Sequence, residues 1–158
     1  MFLFFNDTAT TEIYTLSLHR RSSDLKIALI HCSEKVNGKT FPLTLDYVEL
    51  KEMAEKGEFG DCIIDGPMDV KTACSAEAMR IKNMTSPING DADALIMPDI
   101  EAGNSFYKTI TLFAQADTAG ILMGTKVPVV LPSRGDDAMS KFFSLALASW
   151  SCAAAEKK

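Results

Sequence analysis

The sequence predicts an α/β fold, an open and mainly parallel sheet with helices on both of its faces. Short apolar runs alternate with longer stretches of helical periodicity from Lys26 to Cys152, and this alternation is typical of right-handed βαβ units. Polar, glycine-containing segments follow several of the apolar runs. Because open α/β sheets bind ligands beyond the carboxyl ends of their strands, a functional site is expected in these segments.

The first half of the sequence contains two predicted strand–helix pairs. Lys26–His31 is a short apolar run and is predicted to be a strand. Thr44–Lys56 is predicted to be a helix, since its apolar residues recur on one face. Cys62–Ile64 is a short buried strand that is expected to end at Asp65–Pro67, a turn signal. A single helix is predicted over Asp69–Ile81.

The second half repeats this order of elements. The run Ala94–Met97 is predicted to be a strand, and Asn104–Phe113 a helix. The segment Ala119–Gly124 is either a strand or a tight corner. Val127–Leu131 is valine-rich and is predicted to be the last strand, followed by a helix over Asp136–Cys152.

An acidic turn follows the third predicted strand and contains Asp99 and Glu101. Asn104 is a good N-cap, and the free N–H groups beyond it could receive an anion. Gly103 is expected to allow a tight bend or a positive φ, and Lys108 lies one turn after Asn104. A capped turn and a solvated lysine would also explain these residues, so the pattern leaves a structural and a ligand-binding role open.

A second polar corner follows the last predicted strand. Ser133 and Arg134 stand there, and an arginine can hold a phosphate through two parallel N–H bonds. Asp136 and Asp137 are expected in the first helical turn, as an N-cap and as charges that complement the helix dipole. Lys35 follows the first predicted strand and is a further candidate for the cleft. Ser133 could equally be a loop residue that satisfies a backbone group.

Composition and motifs exclude several function classes. The formal net charge of −5 disfavours nucleic acid as a partner, because phosphate backbones need basic patches. Neither a P-loop nor a dinucleotide fingerprint occurs, which disfavours nicotinamide binding. The four cysteines are scattered without a C-x-x-C pair, and the second histidine, His19, is not near His31, so no metal site is predicted. Scattered free thiols favour a reducing, cytoplasmic location, and no run reaches the ~18 apolar residues of a membrane span.

Five segments carry a resemblance to a known family when they occur in this order: Ser33–Lys39, Ile63–Ala73, Pro98–Lys108, Val127–Lys141 and Ser144–Ser149. Together they resemble the phosphate acetyltransferase and butyryltransferase family, with the butyryltransferase branch as the closest. The resemblance implies exchange of an acyl group between coenzyme A and inorganic phosphate, with butyryl favoured over acetyl as that group. Acyl-CoA and phosphate would be the small-molecule substrates, with no cofactor besides the CoA thioester itself.

The resemblance also implies roles for individual residues. Ser133 and Arg134 would be catalytic, with Arg134 on phosphate and Ser133 positioning the thiol or acyl group. Substrate binding would fall to the remaining polar candidates: Asn104, Lys108, Asp99, Glu101 and Lys35. Phosphotransacetylases place an acidic residue seven positions after the serine, but this sequence has Ser140 there. That departure leaves the general base unassigned, with Asp136 or Asp137 as possible substitutes.

Met1–Leu25 resembles a translated sequencing adaptor and is expected to be a non-native, disordered leader. Residues 26–158 would then form the C-terminal portion of the family's domain, a three-layer sheet like that of isocitrate and isopropylmalate dehydrogenases, truncated at its N-terminal half. Such a fragment is expected to be inactive alone, and the complete protein to be a homo-oligomer.

Two other functions remain open at this point. The fragment could be a non-catalytic α/β interaction or oligomerisation domain. A dehydrogenase of the isocitrate or isopropylmalate type shares the architecture, but it needs a cluster of metal-binding aspartates that the sequence does not show.

Overall fold

The computed structural model describes Phe2–Leu3 and residues 25–155, which fall into two compact units. One unit contains the described residues up to Gly103, and the other contains those from Asn104 onwards. The strands are β1 (Phe2–Leu3), β2 (Lys26–Ile30), β3 (Ile63–Met68) and β4 (Ala94–Ile96). The helices are α1 (Leu43–Glu55), α2 (Val70–Cys74), α3 (Ala76–Ile81), α4 (Ile100–Phe113) and α5 (Ala138–Ala155).

All four strands belong to one sheet of the first unit, in the order β1-β4-β2-β3. Every pairing is parallel, with Ile27 opposite both Ile64 and Ala94 in the central register. The predicted α/β class with a parallel sheet is therefore confirmed. Most of the predicted leader lies outside the described residues. Phe2–Leu3 form β1, and the predicted domain boundary after Leu25 stays a prediction.

Both faces of β2 are buried. Successive side chains of a strand point to opposite faces, and Ile27 and Leu29 on one face are as buried as Ala28 and Ile30 on the other. The second of these faces belongs to an apolar cluster: Ala28, Ile30, Met68, Ala73, Ile88 and Leu95. A strand covered on both sides is what a parallel sheet between layers requires.

The strand β3 runs past the predicted turn signal to Met68, so the predicted end at Ile64 is wrong. Asp65 is buried within the strand and its carboxylate contacts Lys51 Nζ of α1 at 2.5 Å. Pro67 is tolerated because β3 stands at the end of the strand order, and an edge strand has no neighbour that would need the missing proline N–H.

The predicted single helix over Asp69–Ile81 is also wrong, because it is divided at Ser75. Ser75 has extended backbone angles (φ −143°, ψ 110°), and its hydroxyl accepts a hydrogen bond from the Ala78 N–H at 3.2 Å. Asp69 caps α2 in the same way, accepting from the Thr72 N–H at 2.7 Å. Serine and aspartate are both favoured N-caps, so the segment starts two short helices.

The helix α4 begins at Ile100, four residues before its predicted start at Asn104. Asp99 caps it, since its carboxylate accepts from the Ala102 N–H at 2.6 Å. The predicted cap at Asn104 is therefore wrong, and Gly103 is a buried helical residue rather than a bend. Both Asp99 and Asn104 are good capping residues, and the apolar pattern between them does not distinguish the two starts.

The last predicted strand, Val127–Leu131, is absent from the described part of the chain. A single antiparallel bridge joins Leu122 to Val129 there. Pro128 and Pro132 lack the N–H that a ladder needs, and Val127 and Leu131 are 64% and 82% exposed. The final helix α5 begins at Ala138 rather than Asp136.

Tyr47 of α1 gives a prediction about alkaline stability. Its hydroxyl donates a 2.9 Å hydrogen bond to the Ile30 carbonyl, and the side chain is buried. Burial, then the charges of Asp99 and Asp46, raise the pKa of Tyr47 from 10.0 to about 12. The folded state therefore holds the phenol proton more tightly than the unfolded state, so this stabilisation is complete below pH 10 and is lost as the pH rises towards 12.

Urea unfolding of wild type and Tyr47→Phe measures this contribution. At about pH 8 the variant is expected to be less stable by about 1 kcal/mol, since it leaves a buried carbonyl without its donor. At about pH 11 the difference is expected to shrink, because only the wild type loses the Tyr47 contribution. A difference that is the same at both pH values would contradict this assignment.

Candidate functional site

The two sequence segments predicted to form polar corners supply a lysine and a serine that meet in the second unit. Lys108 lies on α4, and its Nζ donates a hydrogen bond to Ser133 Oγ at 3.0 Å. The same ammonium lies 4.6 Å from the ring centroid of Tyr107. Lys108 is exposed, but it is tethered at both contacts rather than freely solvated. The pair places a cationic donor beside a hydroxyl.

Ser133 begins a tight turn that leads into α5. The Asp136 N–H donates to the Ser133 carbonyl at 3.1 Å, and the Ser133 N–H donates to Asp136 Oδ2 at 2.8 Å. A longer contact of 3.4 Å joins the Gly135 N–H to Ser133 Oγ. The turn is thus closed by a backbone and a side-chain hydrogen bond, and it carries Arg134 beside Ser133.

Arg134 is exposed, and its guanidinium has no hydrogen bond or ion pair to any residue that the structure describes. A guanidinium in this state keeps its planar set of N–H donors available to a ligand. Arginine forks bind phosphate or carboxylate through two parallel bonds. Ser133, Arg134 and Lys108 therefore form a cationic corner, in which the Lys108 ammonium contacts the Ser133 hydroxyl and Arg134 is the next residue of the turn.

Asp136 has a different role from the predicted helix cap. Its Oδ1 accepts a hydrogen bond from the Tyr107 hydroxyl at 2.8 Å, while Oδ2 accepts from the Ser133 N–H. The Tyr107 hydroxyl also lies 3.4 Å from Thr118 Oγ1. Burial raises the pKa of Tyr107; the Thr118 hydrogen bond opposes this, and Asp136 adds to the rise.

Asp137 is the residue that caps α5. Its Oδ1 accepts from the Ser140 N–H at 2.7 Å, and this backbone hydrogen bond lowers the pKa of Asp137. Ser140, at the position where phosphotransacetylases place an acid, has its hydroxyl 3.4 Å from Thr118 Oγ1. Both aspartates considered as substitute bases are therefore already engaged by protein donors.

The remaining predicted site residues have simpler surroundings. Asn104 is exposed on α4, one turn before Lys108. Asp99 is the cap of α4 and Glu101 is exposed in its first turn, both in the first unit. Lys35 is exposed in the loop after β2, where its N–H donates to Ser33 Oγ at 3.2 Å. For all four the assigned substrate contacts stay predictions.

Sequence reasoning missed two participants, Tyr107 and the bridging role of Asp136. No motif in the sequence marks Tyr107 as a site residue, yet its hydroxyl is hydrogen-bonded to a residue 29 positions away. A tyrosine adjacent to a candidate lysine was the only signal in the sequence, and it does not identify a partner.

Among the described residues, no group of three or more His, Cys, Asp or Glu side chains is placed to hold a metal ion. No helix in residues 25–155 combines the length and the apolar character needed to cross a membrane.

A family model described as Phosphate acetyl/butaryl transferase matches residues 9–149 of the chain. The match covers both described units and both corners of the candidate site. It begins inside Met1–Leu25, so the family pattern extends into part of the segment predicted to be a leader. The family resemblance inferred from the motifs is confirmed.

Individual relatives agree with this match. The chain is 43% identical over 124 residues to a phosphate acetyltransferase of Thermotoga maritima, covering 78% of this chain and 42% of the relative. It is also 43% identical over 124 residues to a phosphate butyryltransferase of Clostridium acetobutylicum, covering 78% and 41%. The chain thus spans about two fifths of the curated relatives that it matches.

A solved structure, a branched-chain phosphotransacylase from Enterococcus faecalis, superimposes with a TM-score of 0.69. Its sequence is 38% identical, and the match covers 80% of this chain and 46% of that one. The model match, the curated relatives and the structural similarity lead to one conclusion. The chain belongs to the phosphate acetyl/butaryl transferase family.

Proposed function

We propose that this chain is part of a phosphate acyltransferase, which moves an acyl group between coenzyme A and inorganic phosphate. The observation that carries the proposal is the corner of Lys108, Ser133 and Arg134 in the second unit. There the Lys108 ammonium donates to the Ser133 hydroxyl at 3.0 Å, and the exposed Arg134 follows Ser133 in the chain. Family membership supplies the reaction class, and this corner supplies groups that suit it.

The groups of this corner meet part of what the reaction requires, namely a site for phosphate and donors to the developing oxyanion. A phosphate oxygen attacks the thioester carbonyl, a tetrahedral intermediate forms, and the C–S bond breaks to release CoA thiolate and acyl phosphate. Arg134 would hold the attacking phosphate through its paired donors. Lys108 and the Ser133 hydroxyl would donate to the developing oxyanion, the kind of fixed electrostatic stabilisation that contributes most in acyl transfer.

In the reverse direction the CoA thiol must lose a proton, and no base is assigned here. Asp136 and Asp137 accept hydrogen bonds from protein groups, and position 140 is a serine. Holding both substrates in line could alone contribute up to about 7–11 kcal/mol to lowering the barrier.

Butyryl is proposed as the acyl group, on the resemblance of the motifs to the butyryltransferase branch. The identities to an acetyltransferase and a butyryltransferase are equal at 43%, so acetyl is the alternative. The proposal includes a three-layer, isocitrate-dehydrogenase-like arrangement of the complete domain, a cytoplasmic location and a homo-oligomeric state. It also includes the inactivity of residues 26–158 without the rest of the domain.

A thiol-release assay tests the proposal on a full-length protein that contains this segment. With phosphate present, butyryl-CoA is expected to give a higher kcat/KM than acetyl-CoA, and the present chain alone is expected to give negligible turnover. Absence of phosphate-dependent thiol release from both thioesters would refute the acyltransferase assignment. A higher kcat/KM for acetyl-CoA would refute only the butyryl preference.

A second candidate function is a non-catalytic interaction domain, which the surface of α5 favours. Phe142, Leu145 and Trp150 are 59%, 61% and 40% exposed, and large exposed apolar surfaces promote association. Light scattering of the purified chain is expected to show concentration-dependent self-association. A phosphate-insensitive oligomer formed by a full-length protein without turnover would support this function over the first.

A further inference from the structure

Asp136 lies in the turn before α5, and each of its two carboxylate oxygens accepts a hydrogen bond from a different segment. Oδ2 accepts from the Ser133 N–H at 2.8 Å, and Oδ1 accepts from the Tyr107 hydroxyl of α4 at 2.8 Å. The distance from the Ser133 N–H is typical of a charge-assisted hydrogen bond, and the distance from the Tyr107 hydroxyl is that of an ordinary O–H···O hydrogen bond. The carboxylate therefore joins the Ser133–Arg134 turn to the helix that carries Lys108.

Ser133 is held through two different groups. Its N–H donates to Asp136 Oδ2 at 2.8 Å, and its hydroxyl oxygen accepts from the Lys108 ammonium at 3.0 Å. Without the carboxylate, the turn would keep the 3.1 Å hydrogen bond from the Asp136 N–H to the Ser133 carbonyl, which closes the turn. Its remaining hydrogen bond to α4 would be the one that the exposed Lys108 donates to Ser133 Oγ.

We propose that Asp136 is a positioning residue that holds the Ser133–Arg134 turn against Tyr107, so that the serine hydroxyl and the guanidinium are fixed beside Lys108. This inference rests on the proposed function for its catalytic meaning. The attachment itself is a property of the chain and can be tested without turnover.

The surroundings of Tyr107 supply a spectroscopic reporter. The charged groups around the phenol are Asp136 at its hydroxyl, Asp137 farther along the turn, and Lys108 over its ring. Burial and Asp136 both raise the pKa of Tyr107. Removing the Asp136 charge is therefore expected to lower the pKa of Tyr107, which ultraviolet titration of the phenolate detects.

Amide hydrogen exchange of this chain tests the attachment directly. In Asp136→Ala, exchange of the Ser133 N–H is expected to become about tenfold faster or more, since it loses a charged acceptor. Asp136→Asn is expected to restore most of the protection, because its amide can accept from Ser133 and donate to Tyr107. Tyr107→Phe, which removes only one of the two bonds, is expected to give an intermediate rate.

The matched control is Asp137→Ala, which removes the same charge one residue away. It deletes the cap of α5 and is expected to lower stability while leaving the Ser133 exchange rate nearly unchanged. It is expected to lower the pKa of Tyr107 less than Asp136→Ala does, since Asp137 acts on the phenol only through its charge. Unchanged Ser133 exchange in folded Asp136→Ala, or equal acceleration in Asp137→Ala, would overturn the inference. If Asp136→Ala does not fold, Tyr107→Phe is used instead, and unchanged Ser133 exchange in that variant would overturn the inference.

Kinetics of a full-length protein then separate this inference from the proposed function. Asp136→Ala is expected to raise the KM for phosphate by about tenfold or more while changing the KM for acyl-CoA less, with recovery in Asp136→Asn. A wild-type protein without turnover but with the expected exchange pattern would remove the proposed function and leave the attachment intact. If the wild type turns over but Asp136→Ala changes neither the Ser133 exchange rate nor the KM for phosphate, the positioning role of Asp136 is refuted and the proposed function stands.

Discussion

Arg134→Ala in a full-length protein that contains this segment is expected to lower kcat/KM by about 100–1000-fold, the range seen when one preorganised donor to a reacting anion is removed. The melting temperature is expected to change little. Arg134 is exposed and has no partner among the described residues, and surface substitutions of this kind usually change stability by less than about 0.5 kcal/mol. Steady-state kinetics with phosphate varied, together with thermal unfolding, measure the two effects.

Two further variants sharpen this test. Arg134→Lys is expected to recover only part of the activity, since an ammonium keeps the charge but cannot make the two parallel bonds of a guanidinium. Arg80→Ala is the matched control, because Arg80 is an exposed arginine whose partner is Glu77 of α3 at 2.6 Å. If Arg134→Ala has wild-type kinetics, or if Arg80→Ala loses as much activity, Arg134 does not hold phosphate.

The strands of the first unit could be predicted from the sequence because they are buried apolar runs. Lys26–His31 and Ala94–Met97 were predicted to within one residue of β2 and β4. The run Val127–Leu131 is also apolar, but Pro128 lacks the N–H that a ladder needs, and Val127 and Leu131 remain exposed. Strand propensity reflects burial against neighbours, and a local sequence does not state whether such neighbours exist.

The ends of helices were harder to predict than their existence. A good capping residue stands at both Asp99 and Asn104, and only the structure shows that Asp99 accepts the Ala102 N–H. Asp136 and Asp137 pose the same problem, since the second one caps α5. When two nearby residues have the same capping propensity, the contacts that decide which one caps the helix cannot be read from the local sequence.

The candidate site, too, could be predicted only in part from the sequence. The family motifs predict Ser133, Arg134 and Lys108 as site residues, but no local pattern indicates that Lys108 Nζ would contact Ser133 Oγ across 25 positions. The bridging role of Asp136 depends on a partner 29 positions away. Residue types at a corner predict which chemistry is present, whereas long-range hydrogen bonds decide which atoms are left free to perform it.

Gly90→Ala is expected to have the largest effect on the stability of the first unit. Gly90 is buried with a φ of +68°, and a β-carbon there would lie 2.2 Å from Ala76 N and 2.3 Å from the Ser75 carbonyl carbon. Both are backbone atoms, at the residue that caps α3 and at its first helical residue, so neither can move as a side-chain tip would.

The matched control is Gly57→Ala, at a φ of +78° with nothing within 4 Å of the added carbon. It isolates the strain of a left-handed backbone, which costs about 1–2 kcal/mol. Gly90→Ala adds a clash with backbone to the same strain, so its loss of unfolding free energy is expected to be larger by about 1–3 kcal/mol or more. Urea unfolding of the two variants measures the difference. Equal losses would mean that the loop before β4 can move away from Ser75, and that the start of α3 is not fixed by the close approach of Gly90.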